Sequence, residues 1–267
     1  MTRAPVRVAR GALSGLFFVI YGLFALPFAL LLPIPIWPKK LVRAAVRACF
    51  RLFVFLARVT HLFRVECAAE DRAALKALRG AIVVMNHVSL IDAVILMVHL
   101  GDSTGIAKAA AKRNPFLGAV VRTVFIPNDS GAEKALEDST RLLEEGLNLV
   151  IFPEGTRIPP DAPEHRLNRG AARLALSSGA PLVACRIEYD PPVLGKTQPW
   201  WDVGEREIVV KLSYRGAIAA EGESNYRNAV ALTERIREKI LLAVCQSKRN
   251  LERLNESLAG SWGLSFC

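Results

Sequence analysis

The sequence predicts an α/β fold, with a mostly parallel sheet flanked by helices and preceded by an N-terminal membrane-associated helical segment. From Arg64 onward, short apolar runs that suit buried strands alternate with segments of helical periodicity. Before that point, residues 11–38 contain no charged residue at all. The net charge of +10 also lies entirely in this N-terminal part, where ten basic residues precede the first acidic residue, Glu66. Together these features predict a membrane-facing N-terminus and a globular α/β remainder.

The uncharged segment Gly11–Pro38 exceeds the roughly 20 residues that a helix needs to cross a bilayer. Three arginines precede it and several basic residues follow it, so the positive-inside rule gives no orientation. A segment that enters the membrane and returns explains these charges at least as well as a span. A cleaved signal peptide is disfavoured, because the apolar region is long and no clear small-residue cleavage site follows.

The next segment, Leu41–Phe63, has the pattern of a helix lying in a membrane interface. At about 100° per residue its arginines fall within an arc of roughly 80°, and they are Arg43, Arg47, Arg51 and Arg58. Apolar side chains occupy the opposite side, so we expect the basic side to face lipid head groups. The alternative is a solvated face on an ordinary helix. Basic charge next to apolar sequence favours an anionic membrane surface over nucleic acid as the partner.

The remaining elements follow from apolar periodicity and from turn-forming residues. Strands are predicted at Ile82–Met85, Gly105–Lys108, Val121–Ile126, Leu147–Phe152, Leu182–Ile187 and Ile208–Leu212. Helical segments are predicted at Leu90–Leu100, Asn114-Pro115, Ala132–Glu145, Arg169–Ser178 and Tyr226–Leu258. Proline-rich loops are expected at Ile158–Leu167 and Asp190–Gly204. Five scattered cysteines favour a reducing compartment, and the four histidines show no metal-type spacing, so no metal site is predicted.

The first candidate site follows the strand Ile82–Met85, where Asn86-His87 occupies a strand-to-helix turn. Ser89 suits the N-cap of the following helix, and Asp92 lies in its first turns. A carboxylate in that position can bind one imidazole nitrogen and leave the other as a general base. The alternative interpretation is a loop histidine beside a helix-start aspartate, with no catalytic role.

The second candidate site is Phe152-Pro153-Glu154-Gly155-Thr156-Arg157, at the end of another predicted buried strand. Open α/β sheets bind ligands beyond the carboxyl ends of their strands. Arg157 offers paired donors to a phosphate, and Gly155 allows the backbone to approach a substrate closely. The alternative is a simple ion pair between Glu154 and Arg157.

These two motifs, in this order and about sixty residues apart, resemble those of the glycerolipid (lysophospholipid) acyltransferases, typified by 1-acylglycerol-3-phosphate acyltransferase. The resemblance covers roughly Ala81 to Tyr189. It implies that His87 is the catalytic base and that Asp92 orients it. It also implies an acceptor-binding set, which comprises Glu154, Gly155, Thr156, Arg157 and Lys108. No cofactor is implied, since an acyl thioester of coenzyme A or acyl carrier protein is a co-substrate.

The expected function is therefore a membrane-associated O-acyltransferase that moves an acyl chain from a thioester to a hydroxyl of a lysophospholipid such as 1-acylglycerol-3-phosphate. Residues 1–65 would form N-terminal membrane-anchoring helices, and residues 66–267 the acyltransferase domain including the C-terminal helix. The expected location is the inner (cytoplasmic) membrane, with the catalytic domain on the cytoplasmic side. Expected partners are membrane lipid and the thioester donor, but not nucleic acid.

One segment departs from the family pattern. Where the family commonly has Phe-Ile-x-Arg, this chain has Phe125-Ile126-Pro127-Asn128, so the phosphate-contacting arginine is replaced by Asn128. The surrounding sequence, from Lys112 to Asp129, also resembles a branch associated with aryl-polyene-type lipid assembly, which implies an acyl carrier protein donor and a non-phosphate acceptor. A hydrolase, without a Gly-x-Ser-x-Gly motif, and a non-catalytic lipid-binding or membrane-scaffold protein are the other classes left open.

Overall fold

A computed structural model describes residues 4–31, 37–107, 118–127, 131–159, 162, 165–199 and 201–241. Its seven strands are β1 (Phe63–Glu66), β2 (Ile82–Met85), β3 (Ser103–Ala107), β4 (Ile126–Pro127), β5 (Asn148–Ile151), β6 (Leu182–Asp190) and β7 (Ile208–Ile218). They form one sheet in the order β1-β7-β6-β2-β5-β3-β4. The β6–β7 pair is antiparallel and the other five pairs are parallel, which confirms the predicted fold class.

Helices cover both faces of the sheet. They are α1 (Ala4–Leu31), α2 (Lys39–Val59), α3 (Ala69–Ala77), α4 (Asp92–His99), α5 (Gly118–Val124), α6 (Ala132–Glu144), α7 (Gly170–Ser178) and α8 (residues 226–241). The central strand β2 supplies both cores, because alternate side chains of a strand point to opposite faces. Val83 and Met85 pack with α2 and α4, whereas Ile82 and Val84 pack with α7 and α8. Burial on both faces explains its unbroken apolar sequence.

Most predicted strands and helices are confirmed, with boundary shifts of a few residues. The strand predicted at Val121–Ile126 is wrong, since α5 occupies Gly118–Val124. Its β-branched residues favour a strand, but the helix buries Val121 and Val124, three positions apart, on one side. Strand β1 and helix α3 were not predicted, and the expected domain boundary after residue 65 falls within β1. The predicted helical turn at Asn114-Pro115 and the part of the C-terminal helix beyond residue 241 lie outside the described residues.

Helix α2 corrects the prediction that its whole basic side faces lipid. Arg43 donates through Nε and Nη2 to both carboxylate oxygens of Asp102, at 2.9 and 2.8 Å. Arg47 donates to the Gly101 carbonyl oxygen at 2.7 Å. Partial burial alone would raise the pKa of Asp102, but the hydrogen bond from Arg43 and the two positive charges outweigh it and lower the pKa below its usual value. Arg51 and Arg58 remain exposed. The four arginines of α2 are therefore divided: Arg43 and Arg47 bind the folded domain, and Arg51 and Arg58 lie on the surface.

Helix α1 has one side against the protein and one side facing outward. On its inner side, Phe17 and Tyr21 lie 5.3 and 4.9 Å from Phe53 of α2, measured between ring centroids. The outward side carries large apolar residues at helical spacing, and they include Leu16, Val19, Ile20 and Leu23, each more than half exposed. The stretch Pro5–Phe24 is long and apolar enough to cross a membrane, judged by length and composition. The buried side contributes to the same core as α2 and the sheet.

Candidate active site

The two predicted motifs meet at one edge of the sheet. Strands β2 and β5 are parallel neighbours, so the loops at their carboxyl ends emerge side by side. The His87 backbone N–H donates to Glu154 Oε2 at 2.5 Å, and the His87 carbonyl oxygen accepts from the Ile158 N–H at 2.8 Å. Residues far apart in sequence therefore form one site, and two hydrogen bonds join its halves.

Asp92 is fully buried and is surrounded by donors. Its Oδ2 accepts from the backbone N–H groups of Val88 and Ser89, at 2.8 and 2.9 Å. Its Oδ1 accepts from the Tyr189 hydroxyl at 2.6 Å. The side chain of His87 places Nδ1 2.8 Å from Oδ2. An ionised carboxylate only accepts, so Nδ1 carries the hydrogen, and Nε2 of the neutral ring has the lone pair that a general base needs.

Two neighbouring side chains hold the His87 ring and the start of its loop. Phe152 stacks on it, with 4.3 Å between ring centroids and 23° between planes. Asn86 bonds to the backbone of Ile187 in β6 through both of its amide atoms, at 2.8 Å each. This side chain thereby extends the β2–β6 pairing by one residue and holds the start of the His87 loop. The imidazole is consequently oriented by its stacking partner, by Asp92 and by the backbone.

The prediction that Ser89 caps the following helix is wrong. Helix α4 begins at Asp92 with Ile91 in the N-cap position, and no side chain there makes a capping hydrogen bond. Ser89 instead contributes its backbone N–H to the Asp92 carboxylate.

Glu154 is almost completely buried between two histidines. Its Oε1 lies 3.0 Å from His165 Nδ1, and its Oε2 accepts the His87 N–H. Burial raises the pKa of Glu154, and the hydrogen bonds from His165 and His87 only partly counteract that rise. The alternative ion pair with Arg157 is not formed. Sequence reasoning missed His165, since it lies in a proline-rich loop outside both motifs.

The rest of the second motif shapes this loop. Gly155 has a φ of +65°, and a Cβ there would lie 2.8 Å from the Asn168 side-chain nitrogen, so a larger residue would be strained. Thr156 is half-buried beside it. Arg157 donates through Nη1 to the carbonyl oxygens of Leu194 and Gly195, at 2.8 and 3.0 Å. Lys108, the remaining predicted binding residue, lies outside the described residues.

The site thus combines an oriented imidazole base with a buried carboxylate loop at the carboxyl edge of a parallel sheet. This arrangement suits an enzyme in which the base activates an attacking hydroxyl directly. A family model described as Acyltransferase matches residues 64–188 of the chain. This sequence match indicates an acyltransferase.

Similar proteins agree with this class. The chain is 27% identical over 166 residues to the 1-acyl-sn-glycerol-3-phosphate acyltransferase of Bacillus subtilis (strain 168), covering 60% of this chain and 79% of the relative. It is 31% identical over 146 residues to the enzyme of that name from Limnanthes alba, covering 51% of this chain but only 49% of the relative. The crystal structure of the 1-acyl-sn-glycerophosphate (LPA) acyltransferase PlsC from Thermotoga maritima has the same fold, with a TM-score of 0.67 and 22% identity over 91% of this chain and 98% of that one. These similarities support the resemblance to the glycerolipid acyltransferases.

If His87 is the base, as the sequence motif predicts, its removal should cause a selective loss of catalysis. His87→Ala should reduce the rate of acyl transfer by roughly 10²- to 10⁴-fold, the usual contribution of a positioned base. Its unfolding temperature should stay close to that of wild type, because the ring is partly exposed and Asp92 keeps three other donors. Thiol release from an acyl thioester in the presence of an alcohol acceptor measures the rate. Near-wild-type turnover by a folded His87→Ala protein would remove His87 from the mechanism.

Proposed function

We propose that this protein is a membrane-associated O-acyltransferase whose acceptor is a lysophospholipid such as 1-acylglycerol-3-phosphate. The observation that carries the proposal is the His87–Asp92 pair joined to the loop of Glu154 and Arg157 by the 2.5 Å hydrogen bond between the His87 N–H and Glu154. A base and a loop with a candidate anion-binding arginine are thereby held side by side. The names of the bacterial and plant relatives support the same acceptor.

The proposed reaction needs no covalent enzyme intermediate. His87 Nε2 takes the proton of the acceptor hydroxyl while that oxygen attacks the thioester carbonyl carbon. The new C–O bond forms, and the C–S bond breaks as the tetrahedral intermediate collapses. The imidazolium then returns its proton to the departing thiolate. The buried Asp92 stabilises the imidazolium between these steps, since its Oδ2 already accepts from Nδ1 at 2.8 Å.

The acceptor phosphate is assigned to Arg157. The hydrogen bonds that this residue makes within the described chain use Nη1, so they anchor the guanidinium to the loop of Leu194. The proposed phosphate contacts use Nη2 and Nε, which point away from that bond in the planar guanidinium group. Because Asn128 replaces the second arginine of the family pattern, Arg157 carries more of the phosphate charge here. Lys108 is retained as a further sequence-based candidate, and the donor is a thioester of coenzyme A or acyl carrier protein.

Two substitutions test the acceptor. Arg157→Ala should lower kcat/KM for 1-acylglycerol-3-phosphate by about 10- to 100-fold, the equivalent of one charge-assisted hydrogen bond or more. It should lower kcat/KM for an uncharged monoacylglycerol much less. Asn128→Arg should leave transfer to the phosphate acceptor unchanged or improve it. Arg166→Ala, at an exposed arginine in the same region of the chain, is the control.

The comparison of acceptors also decides between substrate classes. An equal loss for both acceptors in Arg157→Ala would mean that the arginine supports the loop but does not bind phosphate. If wild type fails to use 1-acylglycerol-3-phosphate and Asn128→Arg gains that activity, the glycerophosphate assignment is wrong. The aryl-polyene-type alternative with a non-phosphate acceptor would then be favoured.

Membrane association is proposed from the surface of α1 and α2. The outward side of α1 is apolar over several turns, and Phe55 and Val59 of α2 are also more than half exposed. Arg51 and Arg58 lie on the exposed surface of α2, where they suit anionic lipid head groups. An exposed apolar surface next to basic side chains is typical of insertion into a membrane interface. The proposed side is the cytoplasmic face of the inner membrane.

Charged residues on the outward side of α1 should detach the protein from membranes. The double variant Ile20→Glu/Leu23→Glu places carboxylates at positions that are 56% and 66% exposed, while the inner aromatic contacts of α1 stay intact. Binding to liposomes that contain anionic lipid should fall at least tenfold in a flotation assay. The control variant Ala73→Glu/Ala77→Glu adds the same charge to exposed positions of α3 and should bind normally. Unchanged binding by the α1 variant would place the membrane contact elsewhere.

A further inference from the structure

A second histidine–carboxylate pair lies directly behind the His87 loop. The Glu154 side chain is 1% exposed and that of His165 is 15% exposed, with 3.0 Å between Glu154 Oε1 and His165 Nδ1. The other carboxylate oxygen, Oε2, accepts the backbone N–H of His87. One buried carboxylate therefore connects His165 to the backbone of the catalytic base.

Glu154 can remain ionised in this position only if donors compensate its burial. A buried carboxylate without hydrogen bonds is costly and tends to bind a proton instead. Burial does raise the pKa of Glu154, against the opposing effects of His165 and His87. These two histidines are the titratable groups that act on Glu154 in the described chain, and the ring of His87 is itself paired with Asp92. His165 thus provides the side-chain hydrogen bond to Glu154, and the His87 N–H provides the backbone hydrogen bond.

The loop that carries His165 is fixed close to Glu154. Asn168 donates both its backbone N–H and its side-chain Nδ2 to the carbonyl oxygen of Pro153, at 2.7 and 3.1 Å. Leu167, which lies between His165 and Asn168 in the sequence, is buried in the core on the α7 side of the sheet. His165 is consequently placed against Glu154 by the fold of its own loop as well as by its hydrogen bond.

We propose that His165 is a positioning residue for acyl transfer, which keeps Glu154 ionised and oriented so that its carboxylate holds the backbone of His87. This role rests on the acyltransferase activity and on no particular acceptor. Without His165, Oε1 lacks its side-chain donor and Glu154 binds a proton more readily. A protonated Glu154 accepts the His87 N–H less strongly, so the imidazole loses part of its orientation.

Loss of His165 should change the pH dependence of activity through the pKa of Glu154. Activity requires ionised Glu154 as well as a neutral His87 ring, so protonation of Glu154 contributes to the loss of activity at low pH. Loss of the His165 hydrogen bond raises that pKa further, because this bond favours the charged form. The acid limb of the kcat profile therefore moves to higher pH when His165 is removed.

The test compares His165→Ala, His165→Asn and His165→Gln. The side-chain amide nitrogen of asparagine lies as far from the backbone as His Nδ1 does and can donate to Oε1, whereas that of glutamine extends past it. We expect His165→Ala and His165→Gln to lose about 10- to 100-fold in kcat, with an upward shift of the acid limb. His165→Asn should stay within about threefold of wild type, since a charge-assisted hydrogen bond is restored. His61→Asn, at a histidine whose side chain is 82% exposed, is the matched control.

A measurement without substrate separates this proposal from the choice of acceptor. The ionisation of Glu154 is followed through its side-chain ¹³C chemical shift during a pH titration of the intact protein. The pKa of Glu154 should rise in His165→Ala and return towards the wild-type value in His165→Asn. The proposal is overturned if Asn impairs turnover as severely as Ala, or if His165→Ala leaves both the acid limb and the Glu154 titration unchanged. A defect confined to one acceptor would instead revise the acceptor assignment alone.

Discussion

The burial of the Asp92 carboxylate is the constraint on which the rest of the site depends. A carboxylate with no exposed surface would be strongly destabilising without partners, and here four donors converge on it from the His87 ring, two backbone N–H groups and Tyr189. The same contacts tie the loop after β2 to the end of β6. Stability and the proposed catalysis therefore depend on one arrangement, because the contacts that keep the charge buried also orient His87, the proposed base.

The N-terminal helices belong to this arrangement and are not a separate attachment. Inner-side residues of α1 and α2, among them Phe17 and Phe53, share one core with Val88 and Ile91, which lie in the loop that carries His87. The bond from Arg43 to Asp102 fixes α2 to the start of β3. The same core therefore holds both α1 and the loop of His87. The outward apolar side of α1, the proposed membrane contact, consequently has a fixed position relative to the candidate active site.

The features of the fold and the site that depend on local sequence were predicted from the sequence alone. Buried strands before each motif placed His87 and the Glu154 loop at strand ends, and parallel pairing of β2 with β5 then brought them together. Contacts between distant segments were not predictable from periodicity. Tyr189 and His165 lie outside any motif, and the acid that binds Arg43 is 59 residues further along the chain. The strand predicted at Val121–Ile126 was also wrong. Its β-branched residues favour a strand, but the burial of one face of helix α5 outweighs that preference.

The hydrogen position on His87 tests the central claim most directly. Selective ¹⁵N labelling of histidine, with His87 assigned by comparison with His87→Ala, distinguishes the two ring nitrogens by NMR. The account predicts that the neutral ring carries its hydrogen on Nδ1, in a strong hydrogen bond to Asp92, and that Nε2 is unprotonated. Asp92→Asn should weaken that preference. A neutral ring protonated on Nε2 would leave that nitrogen without the lone pair that the proposed base needs, and it would contradict the account.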